Sequence, residues 1–292
     1  NNGIRVILKP TVFKDDQILL SAFSEGGLSL VPNQKLVSGT YAVGVLQNNG
    51  WGSFSTTELD KILAGKIAGV SPHIGAYSEG FSGSSSVKDF ETMLQLLCLK
   101  FTAVRKDKAA FSSYLQRMQT SLANADKDPR KAFRDSISMM VNNYHPRTIL
   151  STIETLKKVS QEEALAIYKQ RFANPADFTF VLVGNINPDS VKTPLLRYLG
   201  TLKTSKERET WKDNNVRMPN GTVKKSFEKE MKVGKASAYI LLSGGLPYNL
   251  TNKINLNALA DILDIRYTET IREEEGGTYG VRVSASVTNR PQ

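Results

Sequence analysis

Between residues 271 and 281 the chain reads Ile-Arg-Glu-Glu-Glu-Gly-Gly-Thr-Tyr-Gly-Val, and two side chains in that run can do chemistry. The guanidinium of Arg272 is a fixed fork of N–H donors that grips a carbonyl or carboxylate. The hydroxyl of Tyr279 can donate to an oxyanion as it forms at a carbonyl under attack. Gly276 and Gly277 stop a helix that carries Arg272, and the alternation through Tyr279, Val281, Val283 and Ala285 predicts a strand after them. Arg272 and Tyr279 are therefore expected on either side of one tight helix-to-strand turn, close in space and facing a shared cleft. In the plainer alternative, Arg272 pairs with Glu273, Glu274 or Glu275 or caps its own helix, and Tyr279 packs on a sheet.

Other candidates are weaker. Ser243, Gly244 and Gly245 close an apolar run, and they either offer a strand edge to an extended peptide or end a strand in a tight turn. The histidines, His73 and His145, are far apart and in no ligand spacing; each reads as structural, one in a strand and one in a turn. Cys98 sits in an apolar helical run and reads as a core residue, and a lone cysteine allows no internal disulfide. Gly83-Ser84-Ser85-Ser86 lacks the Gly-x-Ser-x-Gly form of a nucleophile elbow, and no glycine-rich phosphate loop is present.

The elements that must position these residues are legible in outline. A composition of 40% hydrophobic and 23% charged residues is that of a folded soluble protein, and no apolar run is long enough to span a membrane. The net charge of +10 comes from Lys and Arg spread along the chain and mixed with acids, which argues against a nucleic-acid arm. Residues 4–8 and 17–24 alternate as strands, expected to pair antiparallel across residues 11–16. Residues 36–46 suit a helix weakened by Gly39 and Gly44, and residues 56–63 a helix with a threonine N-cap. A strand over 68–79 and a turn-rich break over 81–86 precede a helix over 87–101. Helices over 108–124 and 129–142 follow, then one capped by Ser160 with Glu163 at the capping-box position. An apolar strand over 178–183 and a helix capped by Asn187 close a first domain, 1–202.

Residues 203–222 are polar, basic and broken by Pro219-Asn220-Gly221, as in a linker. The pattern then restarts, with strands over 223–230 and 236–243, the Gly244-Gly245 break and a helix over 255–272. This is an internal repeat in outline, so residues 223–292 are expected to begin a second domain that is cut short. The opening residues do not read as a signal peptide; they read as the interior of a longer chain.

The stretch from Arg272 to Val281 resembles the arginine/tyrosine signature of the pitrilysin and insulin-degrading (M16, inverted zincin) metallopeptidases. Asn-Gly-Ile-Arg-Val-Ile-Leu at 2–8 looks like the first strand of an M16 domain, and Phe-Thr-Phe-Val-Leu-Val-Gly-Asn at 178–185 like its late core strand. Arg171-Phe172 also fits, and the order and spacing of these pieces extend the resemblance over nearly the whole chain. It implies an α+β fold of M16-like domains: a mixed or antiparallel sheet covered by helices on one face, present as a repeat. It also implies the C-terminal half, which carries no zinc. An active half binds zinc through His-x-x-Glu-His on a helix soon after the second strand, with a later Glu completing the site. The matching helix here, 36–46, has no His or Glu, and the later one, 109–125, has no acid.

By this resemblance no metal or other cofactor is bound by this chain, and zinc belongs to an N-terminal half, joined or separate. Arg272 and Tyr279 would reach a peptide substrate beside that zinc. The chain would supply chamber wall and transition-state donors, and would be inactive alone. The alternative is a scaffold role like that of M16-like core subunits of respiratory complexes or the non-catalytic subunit of a processing peptidase. Periplasm and cytoplasm are both compatible, and peptide specificity is left open.

Overall fold

In the computed structural model, which describes residues 2–231 and 233–291, the alternating opening forms β1 (Arg5–Pro10) and the next apolar run forms β2 (Ile18–Glu25). Asn1, Lys232 and Gln292, which fall within the expected domains, lie outside the described residues. α1 (Leu36–Asn49) and α2 (Thr56–Ile62) follow. The cap of α2 is Ser55 rather than a threonine: its hydroxyl accepts from Glu58 N–H while the Glu58 carboxylate accepts from Ser55 N–H.

The run expected as one strand is two, β3 (Ala68–Ile74) and β4 (Ser78–Ser85), and β4 takes in the residues expected as a break. Ser and Gly are poor strand formers by propensity, but close packing asks for them here. A Cβ at Gly80 would lie 2.0 Å from the Ala22 carbonyl oxygen, so only glycine fits that rung. α3 (Phe90–Thr102), α4 (Lys108–Ala125), α5 (Pro129–Val141), the short α6 (Ile153–Leu156) and α7 (Gln161–Arg171) come next. β5 (Thr179–Gly184) and α8 (Pro188–Tyr198) complete the series, with Asp107, Asp128, Thr152, Ser160 and Asn187 as side-chain N-caps. Glu163 does not close a capping box with Ser160; it accepts instead from the Ser38 hydroxyl of α1 at 2.7 Å.

The sheet order is β1-β5-β2-β4-β3. β1 and β2 are thus not neighbours, as residues 11–16 had suggested. The apolar β5 inserts between them, parallel to β1 and antiparallel to β2. The strand with most to bury takes an interior position, which no local hairpin signal announces. One face of the sheet is covered. Ile18, Leu20, Ala22, Phe81, Phe180 and Leu182 point into a core shared with Met93, Leu94 and Leu97 of α3 and with Tyr168 and Phe172 at the end of α7. Tyr168 stacks on Phe172 at 4.3 Å between ring centres, and Phe81 packs on Phe172 at 4.7 Å. The glycines of α1 permit close approach rather than weakening the helix. A Cβ at Gly44 would lie 2.4 Å from the Tyr114 hydroxyl.

The chain divides into two units, Asn1–Gly234 and Lys235–Gln292. Residues 203–217 run along the first unit, pinned by side-chain bonds. In the second, Asn249 caps α9 (Leu250–Tyr267), and a π-helical turn (Thr268–Glu274) continues it. The strands expected over 223–230 and 236–243 do not form. Both stretches are exposed and neither has a ladder partner, and strand backbone without a neighbour leaves its N–H and C=O groups to water. No helix is long and apolar enough to cross a membrane among the described residues.

Candidate functional site

The sheet has a second face, and it lies open. Its cross-strand rows follow from the register. Ile7, Val181, Ser21, Ser82 and Ser71 form the middle row; Phe23 and His73 belong to one flanking row, and Lys9, Val183 and Leu19 to the other. Along β2, buried residues alternate with exposed ones, as the two-residue repeat of a strand requires when only one face is covered. An open sheet face is normally polar. Here Ile7, Leu19 and Phe23 are each about half exposed, at 47%, 46% and 52%, and they cluster on the β1-β5-β2 side. The β4-β3 side is nearly flat, built from Ser and Gly. Arg5 and Lys9 flank the apolar cluster on β1. Partial burial holds the His73 imidazole below its ordinary pKa. An exposed apolar patch beside cationic side chains on a rigid sheet suits an extended chain with apolar and acidic side chains.

Arg272 lies in the π-helical turn that ends α9. Glu275 N–H donates to Thr270 O and Gly277 N–H to Ile271 O, and Gly276 takes φ +61°, a left-handed residue at the helix end. The helix stop expected at the two glycines is therefore present. The strand expected after it is not. Tyr279 lies in a bend, residues 280–285 form no strand, and Val283 N–H donates to the Asp264 carboxylate at 2.5 Å. Arg272 Nε meets Glu273 Oε1 at 3.5 Å, the local ion pair weighed above, with both side chains half exposed. Tyr279 is fully exposed. The structure brings Arg272 and Tyr279 into one exposed turn region without a contact between them. Ser243, Gly244 and Gly245 lie exposed in a stretch without an assigned strand.

His73 is in β3, and His145 lies in the turn after α5, where its Nδ1 accepts from Arg147 N–H. Among the described residues no three of His, Cys, Asp and Glu gather as a metal would need. α1, where a zinc motif would stand, is buried nearly all round and carries Ser38, Tyr41, Ala42 and Val45 inward.

Two buried ionic features escaped the sequence reading. Lys100, in the apolar run of α3, lies with its ammonium 4.1 Å from the centre of the Trp51 ring, and burial draws its pKa down to about 8. Glu79 is 1% exposed and Arg171 2% exposed. Burial pushes Glu79 up to about 7, against the pull of a bond from Gly27 N–H and of the nearby Arg171 charge. Arg171 reads from sequence as an ordinary basic residue in the last turn of a helix. The one available signal was its place beside Phe172, which already fitted a family pattern.

Residues 158–291 match the family model described as the peptidase M16 inactive domain. The chain is similar to the C-terminal half of M16 metallopeptidases. Over 97% of its length it is 25% identical to the "Zinc protease PQQL-like" of Arabidopsis thaliana, and over 98% it is 25% identical to the "Probable zinc protease PqqL" of Escherichia coli K12. It spans under a third of those relatives, 28% and 31% of their lengths. The crystal structure of the periplasmic protease PqqL from Escherichia coli superposes with a TM-score of 0.76 at 23% identity, over 99% of this chain and 32% of that one. A peptidase M16 inactive domain from Pseudomonas fluorescens gives 0.56 at 14% identity, over 72% of this chain and 52% of the other. These likenesses show a shared fold.

Proposed function

We propose that this chain is a non-catalytic part of an M16 zinc metalloendopeptidase, and that its open sheet face forms part of the wall of a peptide-binding chamber. The observation that carries the reading is that face: Ile7, Leu19 and Phe23 stand exposed on a rigid sheet beside Arg5 and Lys9. In a lone soluble domain such a patch costs solubility; in a chamber it holds apolar side chains of a peptide. Zinc is assigned to the N-terminal half, and peptide-bond hydrolysis with it. Arg272 would grip a substrate carbonyl or carboxylate, and the Tyr279 hydroxyl would donate to the oxyanion. Both are exposed and free to turn toward a substrate, at the cost of the weak Arg272–Glu273 pair. The chain alone would cleave nothing.

The test is cleavage of a quenched fluorescent peptide by the full-length protein, by its Arg272→Ala and Tyr279→Phe variants, and by this chain alone, with zinc content measured for each. We expect zinc and activity only in the full-length protein, and losses of about 100-fold or more in kcat for the variants with zinc retained. Full-length protein without zinc or cleavage would favour a scaffold role. Variants as active as wild type would remove Arg272 and Tyr279 from the reaction while leaving the chamber wall standing. That wall is tested separately by Phe23→Asp, which should raise KM.

A further inference from the structure

Residues 203–217 look from composition like a free linker, yet they are fastened to the first unit at one point after another. Thr204 Oγ1 donates to Asn2 O at 2.7 Å, and the Asn174 side chain brackets Ser205 and Glu207, accepting from Ser205 N–H at 2.9 Å and donating to Glu207 O at 2.8 Å. Thr210 Oγ1 donates to Glu25, the Trp211 ring meets the edge of Tyr77 at 5.3 Å, and Lys212 N–H donates to Ser29 Oγ at 2.9 Å. At the centre, Arg171 pairs with Glu209: Nη2 donates to Oε1 at 3.0 Å, and Nη1 lies 2.8 Å from Oε2.

Glu79 lies near that guanidinium without an ion pair to it. A Cβ at Gly26 would lie 2.7 Å from Arg171 Nη1 and 3.4 Å from Glu79 Oε2, so the two side chains converge on one backbone position. The groups facing Glu79 are Arg171 from α7, Glu209 from the strap, and the neutral donors Gly27 N–H and Ser24. One buried cation thus balances two carboxylates. When Glu79 is neutral, Arg171 belongs to Glu209 alone. When Glu79 is ionised, it competes for Arg171 and repels Glu209.

We infer that Glu79, Arg171 and Glu209 form a proton-sensitive clasp that fastens the 203–214 strap more tightly below neutral pH than above it. The sign follows from reciprocity. The Glu209 charge favours the proton on Glu79, so the proton on Glu79 favours docking of Glu209 by the same factor. Glu79 changes charge near pH 7, which puts the change within a physiological range. Asp177, itself raised by burial and by Glu209, responds in the same direction. Loosening the clasp frees residues 203–214, while residues 225–229 stay held separately by Tyr144, Phe133 and Asp126. The inference stands apart from any peptidase role.

Amide hydrogen exchange in the full chain reads it directly. The Ser205 and Lys212 amides, bonded to Asn174 and Ser29, report the docked strap. With rates corrected for base catalysis, their protection should fall about threefold to tenfold from pH 6 to pH 8, the effect of a coupling of half to one pKa unit. The Leu182 amide in the sheet interior opens only with the whole unit, so its change reports global stability and the strap amides are read relative to it. In Glu79→Gln the strap amides should lose this pH dependence, and in Glu209→Gln they should be weakly protected at both pH values. No pH dependence in wild type, or the same dependence in Glu79→Gln, overturns the clasp. Should Glu79→Gln fail to fold, carboxyl NMR titration of Glu79 decides: its midpoint must drop in Glu209→Gln, and an unchanged midpoint overturns the clasp equally.

Discussion

α3 and α9 are helices of comparable apolar content with opposite fates. In α3, Met93, Leu94 and Leu97 are fully buried under the sheet. In α9, Leu250, Ile254, Ile262 and Ile265 are each more than half exposed, and Ala260 is its one buried residue. Helical spacing alone does not bury a side chain; a second layer does. The first unit supplies that layer with five strands whose covered face meets α3, α7 and α8. The second unit, in its described residues, has a helix and no sheet. Apolar pattern thus measures the demand for a partner, and the strand ladder decides whether the demand is met.

The comparison breaks most easily at Phe81. Its ring is fully buried and packs on Phe101, Phe172 and Phe178. Phe81→Ala should destabilise the first unit by about 3–5 kcal/mol. Ile262→Ala on α9 should change stability by less than about 0.5 kcal/mol, because that side chain is 57% exposed. Denaturant titration followed by Trp51 emission and by helical circular dichroism measures both. Equal effects would mean that α9 is covered in solution.

A smaller effect, and one with a sign, comes from Glu79. Its carboxyl titrates at about 7 in the folded chain against an ordinary 4.5. Between those values the folded state holds a proton that the unfolded state has lost, so stability falls as pH rises through that window. The loss is at most about 3 kcal/mol, complete above pH 7. Glu79→Gln keeps the shape without the charge, and its stability should be flatter between pH 5 and 8. Urea midpoints across that range read the slope, and a wild-type midpoint that rises with pH would contradict the buried-acid picture.

What could be read from sequence follows the same division. The amphipathic runs that became α3, α4, α5 and α7, and the apolar run that became β5, announce themselves because their pattern is local. The insertion of β5 between β1 and β2 does not, because it depends on which strand is most apolar among all. β4 was hidden by glycines whose purpose is visible only against Ala22. At the candidate site, the Gly276 helix stop is local and present, while the strand after Tyr279 needs a neighbour that these residues lack. The Glu79–Arg171–Glu209 group joins three distant segments, and no spacing rule links them.

The least costly change sharpens the point about local signals. Ser55 caps α2 through a reciprocal bond with Glu58, and those bonds draw the Glu58 carboxyl below its ordinary range. The box lies wholly within four residues of sequence and on the surface, so its worth should not depend on the sheet. Ser55→Ala should cost about 1 kcal/mol and leave the Phe81 effect additive with it, since the two sites share no partner. A double variant of Ser55→Ala and Phe81→Ala whose loss departs from the sum by more than about 0.5 kcal/mol would show that α2 is coupled to the core it flanks. The division between local and ladder-dependent structure would then have to be drawn elsewhere.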